Sequence, residues 1–180
     1  MLNEIEIYAK RAYQEANCLY DGRDYFDSHV SDVIAIVKEH SGIFVYTNDY
    51  LVTLGGAATH DLIEDAKQTF NNIKEVCGYD IAKITLAVTD VHAENRLMRH
   101  LLTMHKTVSD YRAIILKMCD IYANASYSKK SRSSMYKKYI TEYAYRKPIF
   151  IEALKWYKDK LQTEELNKLW KKLDEVHKNK

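Results

Sequence analysis

The sequence predicts an all-α fold, a single compact bundle of roughly eight to ten helices formed by residues 1–180. Only one proline and five glycines occur in 180 residues, so few residues interrupt helices. Apolar residues recur at three- and four-residue intervals in most segments, whereas the alternation typical of strands is rare. Hydrophobic residues make up 47% of the chain and charged residues 29%, a balance typical of one globular domain.

The helices predicted for the first part of the chain follow apolar stripes and end at recognisable signals. The stripe residues are Ile5, Ala9, Ala12 and Ala16 in the first helix, and Val30, Val33, Ile34 and Val37 in the second. The expected boundaries are Asp27 or Ser28 and Gly42 for the second helix, Asn48 and Asp65 for the third, and Thr69 and Gly78 for the fourth.

The rest of the chain predicts further helices of the same kind. Their stripe residues are Ile81, Ile84, Leu86 and Val88 in the fifth helix, and Leu97, Leu101 and Met104 in the sixth. A long seventh helix is expected over residues 108–124. Residues 133–145 and 148–177 supply the remainder, with a break near Thr163.

Charge and composition exclude several classes of protein. A net charge of +2 gives no case for a stable nucleic-acid complex, and no apolar run approaches the roughly 20 residues that span a bilayer. The basic stretch 129–147 is interpreted as a solvated helix face rather than a phosphate-attracting rim. The N-terminus does not resemble a secretory signal, so we expect a cytoplasmic protein. The cysteines, predicted to be buried free thiols, are Cys18, Cys77 and Cys119.

The segment Thr59-His60-Asp61-Leu62-Ile63-Glu64-Asp65 contains four side chains that bind metals or move protons. On a helix, His60 and Glu64 are four residues apart, as are Asp61 and Asp65, so each pair shares one turn. Such groups are costly to bury unless a positive charge lies between them, and a divalent ion is a natural partner. Imidazole with carboxylates suits Mn, Fe or Zn better than Ca. The alternative is a capped, exposed helix end.

Two other segments each contribute one candidate ligand. His29 follows the Gly-containing turn of residues 21–28 at the start of an apolar helix, although a surface histidine would fit the same pattern. Asp120 is the single acid in the apolar run 112–124, where Lys117 and Asn124 share its stripe. A carboxylate in such a run needs a partner, and a Lys117–Asp120 ion pair is the alternative to a metal.

Together these segments resemble the HD superfamily of metal-dependent phosphohydrolases, whose signature is His, then His-Asp, then Asp. They resemble one branch in particular: the alarmone hydrolase domains of RelA/SpoT homologues and the small stand-alone alarmone hydrolases. The resemblance is strongest over residues 8–145, and residues 146–180 supply C-terminal helices. The matching residues are Asp21, Gly22, Tyr25 and His29; His60, Asp61, Glu64 and Asp65; Thr69, Gly78, Val88 and Thr89; and Arg112, Lys117, Asp120 and Asn124.

The resemblance implies one divalent metal ion per chain, Mn²⁺ in this branch, held by His29, His60, Asp61 and Asp120. It implies that Glu64 and Asp65 handle the nucleophilic water. The reaction of the branch removes 3′-pyrophosphate from the stringent-response nucleotide (p)ppGpp and gives GDP or GTP. The candidate substrate contacts are Asn124, which matches the family's nucleoside contact, and Tyr20, Tyr25, Arg96, Arg99 and Lys117. For Arg96 and Arg99 a solvated pair is the alternative, and for Arg112 a structural role is equally open.

The chain departs from the branch just before the Asp21-Gly22 turn. Relatives have two cations there, whereas this sequence has Leu19 and Tyr20, which puts the preference for guanine in doubt. Tyr20 could stack on a base instead. Thr59 replaces an aliphatic residue, and we expect its hydroxyl to bond a backbone carbonyl. The tyrosines clustered after Asp120 are interpreted as packing residues, with a stacking wall for the base as the alternative.

Three functions therefore stay open. The first is a (p)ppGpp 3′-pyrophosphohydrolase, and the second is the same chemistry on another nucleotide, either an adenine alarmone or NADPH. The third belongs to another class, a non-catalytic nucleotide-binding module. The partner in each case is a small-molecule nucleotide, and the sequence does not decide the oligomeric state. With no room for a synthetase domain in these residues, we expect only degradation of the nucleotide.

Overall fold

The computed structural model describes residues 2–178. Within that range the chain forms nine α-helices, which confirms the predicted all-α bundle. They are α1 Leu2–Glu15, α2 Ser31–Glu39, α3 Thr47–Thr59, α4 Phe70–Cys77, α5 Tyr79–Val88, α6 Arg96–Thr107, α7 Tyr111–Lys130, α8 Met135–Leu154 and α9 Thr163–His177. The shorter elements are an antiparallel hairpin of β1 Leu19–Tyr20 and β2 Arg23–Asp24, a π-helical turn Phe26–Val30, and 3-10 turns Ser41–Ile43 and Lys155–Lys160.

Helix α7 is the central element of the bundle, since it packs against α2, α3, α5, α6, α8 and α9. Its fully buried side chains include Ile114, Leu116 and Met118. Helix α3 approaches α5 and α7 closely at Gly56, where an added Cβ would lie 2.4 Å from Cδ1 of Ile84 and 3.0 Å from Cδ2 of Leu116. Because both neighbours are buried and have little room to move, a glycine at this position permits the close contact.

The start and end of α2 differ from the prediction. The chain is already helical at Tyr25 and passes through the π-helical turn into α2, so neither Asp27 nor Ser28 caps the helix. Instead the Ser28 hydroxyl donates to the Asp24 carbonyl at 2.5 Å, and the Asp27 carboxylate accepts from Lys10 at 2.6 Å. At the other end α2 stops at Glu39, and Gly42 lies beyond it in the 3-10 turn.

Helix α4 follows the prediction closely. Thr69 is its N-cap and forms a capping box with Asn72, and Gly78 ends it with a φ of 89°. That φ lies in the left-handed region, which glycine adopts at little cost.

Helix α6 buries a different face from the one predicted. Leu97 and Leu101 are 51% and 40% exposed, while His100, Thr103 and Thr107 point inward with Met104. The buried polar groups have partners, since Thr107 donates to the Ala87 carbonyl at 2.8 Å and His100 Nδ1 lies 2.7 Å from the Tyr145 hydroxyl. Satisfied polar groups can replace apolar ones in a helix interface, and hydrophobic periodicity cannot detect that.

Two helix boundaries near the ends of predicted segments also changed. Helix α3 stops at Thr59, and residues 60–65 continue as turns in which Asp65 N–H still donates to the Asp61 carbonyl at 2.9 Å. Helix α8 runs unbroken through Pro148, because Tyr143 and Phe150 on either side of it are both anchored in the core. The predicted break near Thr163 is confirmed, since α9 begins at that residue.

None of the helices among residues 2–178 is long and apolar enough to cross a membrane. The cysteines are free thiols, as predicted, with Cys77 and Cys119 buried and Cys18 half-buried.

Candidate metal centre and catalytic pocket

The four predicted metal ligands meet at one point of the bundle. His29 comes from the π-helical turn, His60 and Asp61 directly follow α3, and Asp120 lies in the middle of α7. His29 Nε2 lies 3.2 Å from His60 Nε2 and 3.3 Å from Asp120 Oδ1. Asp61 Oδ2 lies 3.0 Å from His60 Nε2 and 3.6 Å from His29 Nε2. Residues separated by 91 positions in the sequence, from 29 to 120, thus face one another.

The chemistry of this donor set fits a divalent cation. The ligand atoms of His29, His60 and Asp120 all lie within 4.8 Å of one another, and all three residues are buried. The Nδ1 of His60 lies 2.9 Å from the Ala57 carbonyl, which can only accept, so Nδ1 carries a proton and Nε2 is the nitrogen that would bind a metal ion after losing its own proton. Two carboxylates beside two imidazoles balance the charge of one divalent ion. The buried group can therefore hold a divalent metal.

Both carboxylates of the centre are kept ionised. Burial raises the pKa of Asp61, but the charge and hydrogen bond of His60 outweigh it and lower that pKa to about 2. Burial likewise opposes ionisation of Asp120, and Lys117, His29 and His60 overcome it, so its pKa lies well below the usual value. Ionised carboxylates are the form that binds metal.

Several side chains orient these ligands. The Tyr25 hydroxyl donates to Asp61 Oδ2 at 2.6 Å. On the other side, Lys117 Nζ lies 3.0 Å from Asp120 Oδ2, so the ion pair considered from the sequence is present. Behind His60, the Thr59 hydroxyl lies 2.6 Å from that of Thr85 and donates to the Gly55 carbonyl at 3.2 Å, the backbone bond expected of it. Such contacts behind the ligands fix their directions.

Glu64 and Asp65 lie at a polar pocket of about 170 Å³ that Asp61 and Asp120 also line. Glu64 Oε1 accepts from the backbone N–H of Asp90 at 2.5 Å. Both carboxylates are exposed at the pocket rim, but the surrounding protein removes part of their water shell. This desolvation raises the pKa of Glu64 to about 7 and also raises the pKa of Asp65. A carboxylate with such a pKa can exchange protons near neutrality.

Cations form another wall of this pocket. Arg96, Lys117 and Arg146 line it, and Arg99, which the sequence also predicted, does not. Three residues of helix turn Arg99 away from Arg96 by roughly 60° and raise it by about 4.5 Å. The buried Glu142 carboxylate accepts from Arg96 Nε at 2.5 Å and lies 3.5 Å from Arg146 Nη2.

The sequence did not predict Glu142 as a pocket residue, and it favoured packing for Tyr139 and a solvated face for Arg146, both of which line the pocket. Their spacing carried a signal, since Glu142 and Arg146 are four apart and form an ion pair in one helix. The helix predicted over residues 133–145 ended before Arg146, so the sequence did not place Glu142 and Arg146 in one helix.

Tyr20 and Asn124 lie beside the metal centre in a way the sequence did not predict. The Tyr20 ring stacks on the imidazole of His29, with centroids 5.0 Å apart and planes at 14°. Its hydroxyl donates to Asn124 Oδ1 at 3.1 Å, and Asn124 Nδ2 donates to Asp120 Oδ1 at 2.6 Å. Both residues therefore contact candidate metal ligands, Tyr20 at His29 and Asn124 at Asp120.

Arg112 lies outside the pocket and has a structural role. Its Nε and Nη2 bind the two oxygens of Asp110 at 3.0 and 2.9 Å. Asp49 and Asp80 lie within 3.6 and 3.5 Å of the same guanidinium, which joins α3, α5 and α7.

A larger groove of about 740 Å³ lies beside the hairpin. Tyr20, Arg23, Tyr127 and Lys130 line it together with Ser28 and Asp32. Most tyrosines after Asp120 pack elsewhere, as the sequence favoured: the Tyr143 hydroxyl, for example, donates to Asp174 at 2.7 Å. Tyr127 in the groove and Tyr139 in the pocket are exceptions.

The fold has a solved counterpart, described as "A metazoan ortholog of SpoT hydrolyzes ppGpp and plays a role in starvation responses". The two structures superpose with a TM-score of 0.69 over 97% of this chain and 92% of the other. Their sequences are 20% identical, so the likeness shows a shared fold. No protein-family model matches the sequence. No curated protein matches it either.

Proposed function

We propose that the chain is a divalent-metal-dependent nucleotide phosphohydrolase that removes 3′-pyrophosphate from (p)ppGpp and gives GDP or GTP. The observation that carries the proposal is the meeting of two histidines and two aspartates beside Glu64, which has a pKa of about 7. A metal-binding or a proton-transfer group alone would be unremarkable; the two together, in one pocket, are what hydrolysis of a phosphate requires.

His29, His60, Asp61 and Asp120 would hold the ion, and we assign Mn²⁺ to it by the resemblance to alarmone hydrolases. When bound, such an ion lowers the pKa of a water molecule and offsets negative charge on the phosphate. The ligands contribute two negative charges and two neutral imidazoles, which leaves the centre near neutrality with the ion present.

Glu64 is the proposed base. As water attacks the phosphorus, Glu64 takes its proton, the bond between phosphorus and the ribose 3′ oxygen breaks, and that oxygen leaves with a proton from solvent or from the pocket. The bond from the Asp90 N–H holds the carboxylate in place during the transfer. Asp65 lies in the same pocket and orients the water.

The cationic wall is the proposed site of the departing pyrophosphate. Arg96, Lys117 and Arg146 face a pocket whose other charged groups are acidic. A pyrophosphate brings several negative charges, and fixed guanidinium and ammonium groups stabilise charge that develops on it.

Support for guanine as the base comes from the shared fold, because the solved counterpart is described as hydrolysing ppGpp. One observation favours a second candidate, an adenine alarmone or NADPH. The two residues expected to contact the nucleoside, Tyr20 and Asn124, bond to each other. Because their polar atoms bond to each other and to Asp120, they provide no contact that would prefer guanine over adenine. The non-catalytic alternative does not account for a carboxylate poised near neutrality beside a metal centre.

The test is a substrate panel with purified protein and Mn²⁺. ppGpp, pppGpp, ppApp and NADPH are incubated separately, and pyrophosphate and phosphate are quantified. Pyrophosphate from the guanine nucleotides, abolished in Glu64→Gln and retained in Glu152→Gln, is the expected result; Glu152 is an exposed control that does not line the pocket. Release from ppApp alone or phosphate from NADPH alone would assign the second candidate. If none of the four nucleotides gives a product, the remaining candidate is the non-catalytic binding module.

A further inference from the structure

Tyr20 contacts the metal centre through its ring and through its hydroxyl. It lies in the hairpin whose turn, Asp21-Gly22, has φ values of 52° and 76°. Two successive positive φ values are the geometry of a tight hairpin turn that matches strand twist. The turn directs the Tyr20 side chain over the imidazole of His29 rather than into solvent.

The ring of Tyr20 is half-buried and contacts three other rings. One face stacks on His29, and the rings of Tyr25 and Tyr127 approach at 5.9 and 4.9 Å with steep interplanar angles of 81° and 65°. Edge-to-face and stacked contacts fix the plane of a ring. Because His29 lies flat against this fixed plane, its own rotation is restricted, and the direction of Nε2 is set.

The hydroxyl of Tyr20 acts on a second ligand, through Asn124. A side-chain amide can present either its oxygen or its nitrogen to a neighbour. Since Tyr20 donates to Oδ1, the nitrogen of Asn124 must face Asp120, and it donates to Oδ1 there at 2.6 Å. The reversed amide would set an oxygen against the ionised carboxylate, which is repulsive.

We propose that Tyr20 is a positioning residue of the metal centre: its ring orients His29 and its hydroxyl, through Asn124, orients Asp120. The proposal rests on the metal site of the proposed function. Tyr20 thereby links ligands from two elements, the π-helical turn and α7. One ion can bind both ligands only if the distance between these elements is correct. Tyr20 and Asn124 are then not base-recognition residues. Tyr20, which lies in the hairpin where relatives have a cation, orients metal ligands and does not stack on the base.

The test measures metal binding without substrate. Mn²⁺ is titrated calorimetrically into metal-free wild type, Tyr20→Phe, Tyr20→Leu and Asn124→Ala, with Tyr111→Phe as the matched control. The control also removes one hydrogen bond of a tyrosine hydroxyl, the one to Asp49. That carboxylate pairs with Arg112, which lies outside the pocket. Altered support behind ligands typically weakens metal affinity by about 10–100-fold. We expect that loss in Tyr20→Leu, several-fold losses in Tyr20→Phe and Asn124→Ala, and wild-type affinity in the control.

A second measurement distinguishes a positioning role of Tyr20 at the metal centre from a contact with the base. At saturating Mn²⁺, the KM values for ppGpp and ppApp should change by the same factor in Tyr20→Phe. Wild-type Mn²⁺ affinity in the Tyr20 variants would overturn the proposal, and a KM raised for one base only would then assign Tyr20 to base recognition. Thermal melting of the metal-free proteins identifies a variant that does not fold, and Tyr20→Phe, which keeps the ring, then carries the test.

The two proposals fail in distinguishable ways. If wild type binds Mn²⁺ but hydrolyses no nucleotide, the function is wrong while the titrations still decide the role of Tyr20. If the Tyr20 variants bind Mn²⁺ like wild type, the proposed positioning role of Tyr20 is wrong, whatever their activity. If wild type does not bind Mn²⁺ at all, both are wrong.

Discussion

Glu64 Oε1 accepts a hydrogen bond from the backbone N–H of Asp90 at 2.5 Å, which ties a pocket carboxylate to the segment that follows α5. Partial burial raises the pKa of Glu64, Lys117 opposes the rise, and nearby Asp61 supports it, with the result near 7. The N–H donor itself favours the ionised form. Glu64 is thus held in one direction and is half-ionised near neutral pH.

The first prediction concerns the loss of this carboxylate, the proposed base. Glu64→Gln keeps an oxygen that can accept from Asp90 but cannot take a proton. We expect kcat to fall on the order of 100-fold or more, because positioned general bases contribute about that much. Mn²⁺ affinity should stay close to wild type, since Glu64 is not among the ligands. Steady-state kinetics and calorimetric titration measure the two quantities, and unchanged turnover would remove Glu64 from the mechanism.

The second prediction is the pH dependence that follows from the pKa of Glu64. Its value is raised from 4.5 to about 7 in the metal-free protein, and a bound cation lowers it, so the ionised form predominates above a point at or below about pH 7. If the ionised form is the base, kcat should fall about tenfold for each pH unit below that point. The rate is measured from pH 5 to 9 at saturating Mn²⁺ and substrate. In Glu64→Gln this acid limb should disappear, and its persistence would assign the limb to another group.

The third prediction separates two arginines that the sequence treated alike. Arg96 lines the pocket and Arg99 does not. Arg96→Gln should raise KM for ppGpp by about tenfold, the equivalent of roughly 1.4 kcal/mol for a lost charge-assisted bond. Arg99→Gln, in the same helix, should leave KM within about twofold. Equal effects in both variants would show that general surface charge, rather than a pocket contact, attracts the substrate.

The fourth prediction concerns stability and leaves the pocket intact. Arg112→Ala leaves the buried Asp110 carboxylate without its bidentate partner, although the backbone N–H of residue 112 at 3.0 Å and Lys83 at 3.6 Å stay. Breaking a buried ion pair costs about 3–5 kcal/mol, and we expect a value near the lower end because Lys83 stays. Urea denaturation measures it. Arg11→Ala, which removes the exposed bond to Glu15, should leave the urea midpoint close to wild type.

The same pair predicts how stability depends on pH. Burial raises the pKa of Asp110, but the Arg112 hydrogen bond and charge outweigh it, so the folded pKa lies below the usual 3.8. A depressed pKa means that the stabilisation is present above the unfolded value and is lost as pH falls through the folded value. Urea midpoints of wild type should therefore decline below about pH 4, and Asp110→Asn should flatten that part of the curve.

The local chemistry of the site could be read from the sequence because the motifs are short and rich in ligands. His60, Asp61, Glu64 and Asp65 lie within six residues, and Asp120 is conspicuous as the one acid of an apolar helix. The helix count followed from periodicity and the scarcity of breakers. Predictions failed where tertiary contacts overrode local signals: α6 buries bonded polar groups, and core anchors on both sides of Pro148 keep α8 continuous.

By itself, the sequence determined an all-α fold and the residues that converge as candidate metal ligands, because side-chain type and helical spacing are properties of the chain. Which neighbours contact those residues depends on the tertiary structure. Tyr20 lies against His29, and Arg146 reaches the pocket while Arg99 does not. These contacts join residues far apart in the sequence. They depend on how the hairpin and α8 pack against α7, and neither spacing nor composition encodes that packing.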